Sequence, residues 1–173
     1  DYTGLATPAD NCPGVTVTQS PAPGTIVSTG TTAITLTATD ASSNTASCNF
    51  NVVVSDNINP TISCPGNQAG SVDSSCNFTL PDYTGLATPA DNCPGVTVTQ
   101  SPAPGTIVST GTTVITLTAT DASSNTANCN FNVVVSDATN PTISCPGDQT
   151  GNVNASCNFT LPDYTGLATP ADN

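Results

Sequence analysis

The stretch GTTVITLTATDASSNTANCNFNVVVSD, residues 111–137, decides the fold. From Ile115 onward it alternates: Ile115, Leu117 and Ala119 fall on one side of an extended chain and threonines on the other. After the break DASSN, Cys129, Phe131, Val133 and Val135 resume the alternation. Successive side chains of a strand point to opposite faces, so this is the pattern of two half-buried strands joined by a turn. No helical period runs through it, and β-branched Thr, Val and Ile lower helix propensity.

The flanking sequence extends the pattern. PTISCPG (residues 60–66) puts Ile62 and Cys64 on one face, and CNFTL (76–80) does the same for Cys76, Phe78 and Leu80. GVTVTQ (95–100) aligns Val96 with Val98, and GTIVSTG (105–111) reads as a short strand between glycines. PAPG (102–105) and the two CPG tripeptides (64–66, 93–95) supply turn chemistry. Six or seven short strands in about 80 residues predict an all-β, antiparallel two-sheet sandwich. With no Trp, Phe78, Phe131 and the aliphatic residues must fill the core. A unit of this size buries only about 60–65% of its unfolded surface, so the core is thin.

The same residues recur. DYTGLATPADN stands at 1–11, 82–92 and 163–173, an 81-residue period. Residues 1–81 and 82–162 differ at nine positions, pairing Ala33 with Val114, Ser47 with Asn128, Asn57 with Ala138, Ile58 with Thr139, Asn67 with Asp148, Ala69 with Thr150, Ser71 with Asn152, Asp73 with Asn154 and Ser74 with Ala155. So long a period marks a tandem array of small domains rather than solenoid turns. The strand order places one complete sandwich at 57–137, the later strands of a repeat at 1–56, and the first strands of the next at 138–173. Neither partial unit closes a sandwich alone. Two readings follow: a window of a longer fibre, or strand exchange in which 138–173 of one molecule completes 1–56 of the next.

Composition narrows function. The chain has no Lys, Arg, His, Glu, Met or Trp; its twelve acidic residues are all Asp and its net charge is −12. Such a surface repels nucleic-acid phosphates and anionic membranes. No run approaches the roughly 20 apolar residues of a membrane helix. Acyl or phosphoryl transfer needs a nucleophile, a base and a charge stabiliser, and Asp alone supplies a poor set, so no enzyme and no catalytic residue is expected. With no Lys or Arg there is no site for trypsin-like proteases. Alternating strand runs and eight cysteines argue against disorder.

Each repeat holds four cysteines, Cys64, Cys76, Cys93 and Cys129, with Cys12, Cys48, Cys145 and Cys157 as copies. No His and no C-x2–4-C knuckle accompanies them, so two disulfides and an oxidising, extracellular compartment are expected rather than zinc. Three pairings are open. Cys64–Cys129 with Cys76–Cys93 is preferred; the two loops would contribute about 4 and about 3 kcal/mol. Calcium is the expected metal. Asp56 and Asn59 on the entering linker, Asp91 with Asn92, and Asp121 with Asn125 offer hard oxygens near one end of the unit. The competing reading makes them Asx turns and caps. Asn77, Asn154 and Asn158 head glycosylation sequons.

The combination of NPTISCP, the central PADNC, the run GTTVITLTATDASSN and the closing CNFNVVV resembles the hyalin repeat (HYR domain) family over the whole repeat. It is most similar to the four-cysteine type found in tandem arrays of bacterial surface proteins, including gliding adhesins of Bacteroidota. The resemblance implies an immunoglobulin-like fold and cell adhesion, and it favours the Cys64–Cys129 pairing, since two-cysteine members keep those positions. The expected role is a structural stalk or filament at the cell surface, whose partners are neighbouring repeats while an unidentified ligand is held elsewhere. The alternatives are repeats that themselves bind a glycan or protein, for which Tyr83 and its copies Tyr2 and Tyr164 are the available aromatics, and a filament subunit joined by strand exchange.

Overall fold

The computed structural model describes residues 1–172, which are almost entirely strand and loop. The chain divides into two compact units, Asp1–Ile58 and Asn59–Asn173. The first unit holds a three-stranded antiparallel sheet of β1 (Thr16–Ser20), β2 (Gly30–Thr39) and β3 (Thr45–Val54) in that order. The second holds β4 (Thr61–Ser63), β5 (Gln68–Ser71), β6 (Phe78–Thr79), β7 (Thr88–Ala90), β8 (Thr97–Ser101), β9 (Ile107–Val108), β10 (Gly111–Thr120), β11 (Thr126–Ser136), β12 (Thr142–Ser144) and β13 (Thr169–Ala171). Its main sheet runs β5-β11-β10-β8, and β4-β7, β6-β9 and β12-β13 form two-stranded sheets.

The stretch 111–137 is the centre of the second unit. Strands β10 and β11 pair from Gly111 with Val135 to Thr120 with Thr126. Ile115, Leu117, Ala119 and Val133 are 0% exposed, with Phe131 and Val135 beside them, as the alternation requires. Leu80 and Tyr83 complete the core, and Ile62, Cys64, Val72, Phe78, Val98 and Val108 pack against it. The disulfide Cys64–Cys129 joins the chain just after β4 to β11, spanning 65 residues of sequence and tying the β4-β7 pair to the main sheet.

Three details depart from the sequence reading. The main sheet is not wholly antiparallel, because β5 pairs parallel with β11, Gln68 opposite Val133 through Ser71 opposite Ser136. QAGS carries no apolar alternation; it forms a strand because an edge is available and because Gly70 lets the Phe78 ring lie against its backbone, where an added Cβ would come within 2.4 Å of the ring. Cys76 does not share a strand face with Phe78 and Leu80. It has φ +57° in a turn where Asp73 Oδ1 accepts the Ser75 and Asn77 N–H groups, and the strand starts only at Phe78. Short 3-10 turns at Thr3–Leu5, Thr84–Leu86 and Thr165–Leu167 follow each tyrosine.

The first unit repeats β8, β10 and β11 as β1, β2 and β3, each starting 81 residues earlier. Among the described residues of this unit there is no counterpart of β4, β5 or β6, and the burial shows this. Ile34 and Leu36 are buried, but Phe50, Val52 and Val54 are only half-buried where Phe131, Val133 and Val135 are buried. Residues 26–27 match β9 in sequence, yet they form no strand, and Ile26 is 96% exposed.

Candidate functional site

In the second unit the residues that could carry chemistry collect in two loops. One follows β7 and carries Asp91 and Asn92; the other joins β10 to β11 and carries Asp121 and Asn125. The second loop is built by its own aspartate. Asp121 Oδ1 accepts the N–H groups of Ser123 at 2.9 Å and Asn125 at 2.7 Å, and Oδ2 accepts the Asn125 side-chain N–H at 2.7 Å. Ser124 takes φ +70° to make the turn. The Asx-turn reading therefore holds for Asp121, which is 7% exposed. Asn125 spends its amide nitrogen on that carboxylate.

Asp91 is less completely satisfied. Its Oδ2 accepts the Cys93 N–H at 3.1 Å, while Oδ1 is buried and takes no hydrogen bond from any described residue. The nearest carboxylate oxygens of Asp91 and Asp121 lie within 4.8 Å of each other. No cationic side chain exists in the sequence to separate them. A buried acceptor left unpaired costs about 1–3 kcal/mol, and a close like charge adds to that. The arrangement sets hard carboxylate oxygens side by side, with no nucleophile–base pair among the described residues.

Asn92 is exposed and directs its amide nitrogen at Cys93 Sγ, 3.3 Å away. Asn59 is exposed. Asp56, in the first unit, is buried and accepts the Ile58 N–H at 3.0 Å.

Asp1, Asp10, Asp40, Asp73, Asp82, Asp137 and Asp163 act as turn braces, each accepting the N–H of the residue two positions on. Asp40, the copy of Asp121, takes a proton less readily than its ordinary value of 3.8, first through the Asn44 side chain and then through the Asn44 N–H. Asp82 and Asp163 are also held below 3.8, each by the N–H and then the hydroxyl of the threonine two residues on.

Against known proteins, the HYR domain model matches residues 6–54 and 55–135. The chain belongs to the HYR domain family. It is 35% identical to "Hyalin" of Strongylocentrotus purpuratus over 165 residues, 88% of the chain and 14% of that protein. It is 33% identical to "Hyalin" of Lytechinus variegatus over 145 residues, 78% of the chain and 26% of that protein. The chain thus spans a small part of either relative.

Within the HYR repeat the tyrosine proves to be a core residue. Tyr83 is 5% exposed, meets Phe131 edge-on with ring centroids 5.2 Å apart, and its hydroxyl is pushed above its ordinary 10.0 by burial. That removes the aromatic on which a binding face in the complete repeat would have rested. Sequence reasoning also missed Gln100, which accepts the Tyr83 N–H at 2.7 Å and donates to the carbonyls of Pro81 at 3.1 Å and Pro102 at 3.0 Å. Its polar side chain sits at an inward-facing position of β8, and no local pattern marks that as a clamp. Of the sequon residues, Asn77 lies half-buried in the Asp73 turn instead of on a strand. Asn158 is exposed, and Asn154 is exposed with its Oδ1 bound to the Ser156 and Asn158 N–H groups. No helix among the described residues is long and apolar enough to cross a membrane.

Proposed function

We propose that this HYR array is a section of an extracellular shaft that holds a binding domain away from a cell surface, and that neighbouring repeats are its partners. The observation that carries the reading is the near-identity of successive repeats, nine differences in 81 positions. Repeats that each recognised a ligand would gain from divergence, whereas a length device gains only from copy number. The four-cysteine pattern favours a bacterial surface array, such as that of a gliding adhesin. Chains of four, eight and sixteen repeats should show contour lengths rising linearly, by about 35–40 Å per repeat, in electron micrographs. Ligand capture by the intact protein should survive excision of repeats; if excision abolishes capture, the repeats are themselves the binding sites.

The shaft is further proposed to bind calcium at Asp91 and Asp121. Support comes from the buried, unpartnered Asp91 Oδ1 and the carboxylate beside it, since Ca²⁺ takes hard oxygen ligands and would relieve both. An ion present at about a hundred times its dissociation constant stabilises by about 2.7 kcal/mol. Excess EDTA should then lower Tm by roughly 10 °C or more. Asp91→Asn should abolish the calcium response, and a melting curve indifferent to EDTA removes the ion from the account.

A further inference from the structure

The two faces of the main sheet carry different chemistry. Ile115, Leu117 and Ala119 turn toward the core, so Thr116, Thr118 and Thr120 turn away from it. The pairing of β8, β10 and β11 sets these outward residues in rows. Ser101, Thr116 and Asn130 form the middle row, and Thr99, Thr118 and Asn128 the next. The first unit repeats the rows as Ser20, Thr35 and Asn49, then Thr18, Thr37 and Ser47. Toward one end of the face in the second unit, Val114 and Val134 are diagonal neighbours, 55% and 47% exposed, and Ala69 is exposed opposite Val134.

This face carries no charge. All twelve aspartates lie outside the strands, and Asp121 and Asp137 stand just beyond the C-terminal ends of β10 and β11. No cationic side chain exists to draw a carboxylate across a contact. Two copies are therefore repelled wherever their loops meet, and that repulsion is least where strand face meets strand face. Hydroxyls and amides both donate and accept, so a Ser/Thr/Asn face is complementary to another of its kind. It offers no charge to an acidic or basic partner and no aromatic ring on which a sugar could stack. The ten residues of β10 and the four strands of the sheet span roughly 34 by 19 Å, no more than about 600 Å². A standard interface buries about 800 Å² per partner, so one such contact is weak, and its recurrence in successive repeats multiplies it.

We infer that this uncharged face of the main sheet is where a second copy of the chain docks, sheet against sheet, so that neighbouring chains lie side by side. The contact is isologous, each face meeting its own kind. Packed sheets stand about 10 Å apart. Val114, Val134 and the threonine methyls leave water, while hydroxyls and amides of the middle rows bond across the contact directly or through bridging waters. No opposite charges meet, so salt strengthens the contact by screening the aspartates of the loops, whereas it would weaken one held by ion pairs. The inference requires neither a distal binding domain nor a bound ion. A monomeric chain overturns it and leaves the shaft and calcium readings untouched.

The test is sedimentation equilibrium of the 173-residue chain up to millimolar concentration. EDTA is present and the exposed thiols are alkylated, so that neither an ion nor a disulfide joins copies. Reversible association is expected. It should strengthen as salt rises from about 0.01 M to about 1 M, which shortens the screening length from about 30 Å to about 3 Å. Asn49→Asp with Asn130→Asp puts one negative charge in the middle row of each face, at exposed positions and with almost no change of shape. That pair should lower the association constant about tenfold or more. Asn57→Asp with Asn140→Asp adds the same two charges at exposed positions off the strands and should change it by less than about threefold. Thr18→Asp with Thr99→Asp charges the neighbouring rows from another strand and should repeat the tenfold loss, which keeps the test decisive if the first pair fails to fold. A chain monomeric at every salt, an association weakened by salt, or an equal loss in the Asn57 and Asn140 pair overturns the proposal. Retardation of a monomeric chain on dextran would assign the face to a neutral carbohydrate instead.

Discussion

Replacing Cys64 and Cys129 together by serine is expected to lower the melting temperature of the second unit by roughly 20 °C. The bond closes a 65-residue separation. Constraining a loop of that length in the unfolded chain contributes about 4 kcal/mol. A domain of about 80 residues has a total stability of only about 4–12 kcal/mol, so the bond is a large share of it. The location adds to the effect. The β4-β7 pair has few residues of its own, and its side chains reach the core mainly through Ile62 and Cys64. Without the bond this pair is held by one isoleucine and edge contacts. The double replacement leaves neither partner of the bond as a lone thiol, so thermal denaturation reads the loss of that bond. A shift under about 3 °C would mean that the core, not the sulfur, closes the sandwich. The same loss should follow reduction of the native protein.

Much of this architecture is legible in the sequence, for a physical reason. Where a strand has one dry face and one wet face, alternation is written into the residues, as in Ile115, Leu117, Ala119 and Phe131, Val133, Val135. The turn before Gly105 is equally plain: that glycine takes φ +85°, which its PAPG setting announces. What escapes is anything fixed by a neighbour distant in sequence. Gln68–Ser71 becomes a strand because β11 offers an edge; its own residues are small and polar. Cys76 reads as part of an alternating strand, but Asp73 captures the backbone first and turns it. The site shows the same division. That Asp121 would brace its own loop follows from the local DASSN pattern, and the structure bears it out. That Asp91 would hold one buried oxygen without a partner depends on packing, which no local pattern encodes. The tyrosine was open to an exposed reading because its burial depends on Phe131, 48 residues away.

Phe131→Ala should be at least as damaging to the second unit, at about 3–5 kcal/mol, since it empties the centre of a core with few large side chains. Phe131 is 5% exposed and its ring meets Tyr83 edge-on at 85°, a contact worth about 0.5–1.5 kcal/mol beyond burial. The variant should populate unfolded chain at ambient temperature, seen as lost strand signal in circular dichroism and a lowered denaturant midpoint with unchanged slope. The copy of this residue provides the control. Phe50 meets Tyr2 in the same way, centroids 5.2 Å apart, but it is only half-buried, with no covering strands among the described residues. Phe50→Ala should therefore cost about 1–2 kcal/mol. Equal costs for the two variants would contradict the tie between the cost and the burial of the ring.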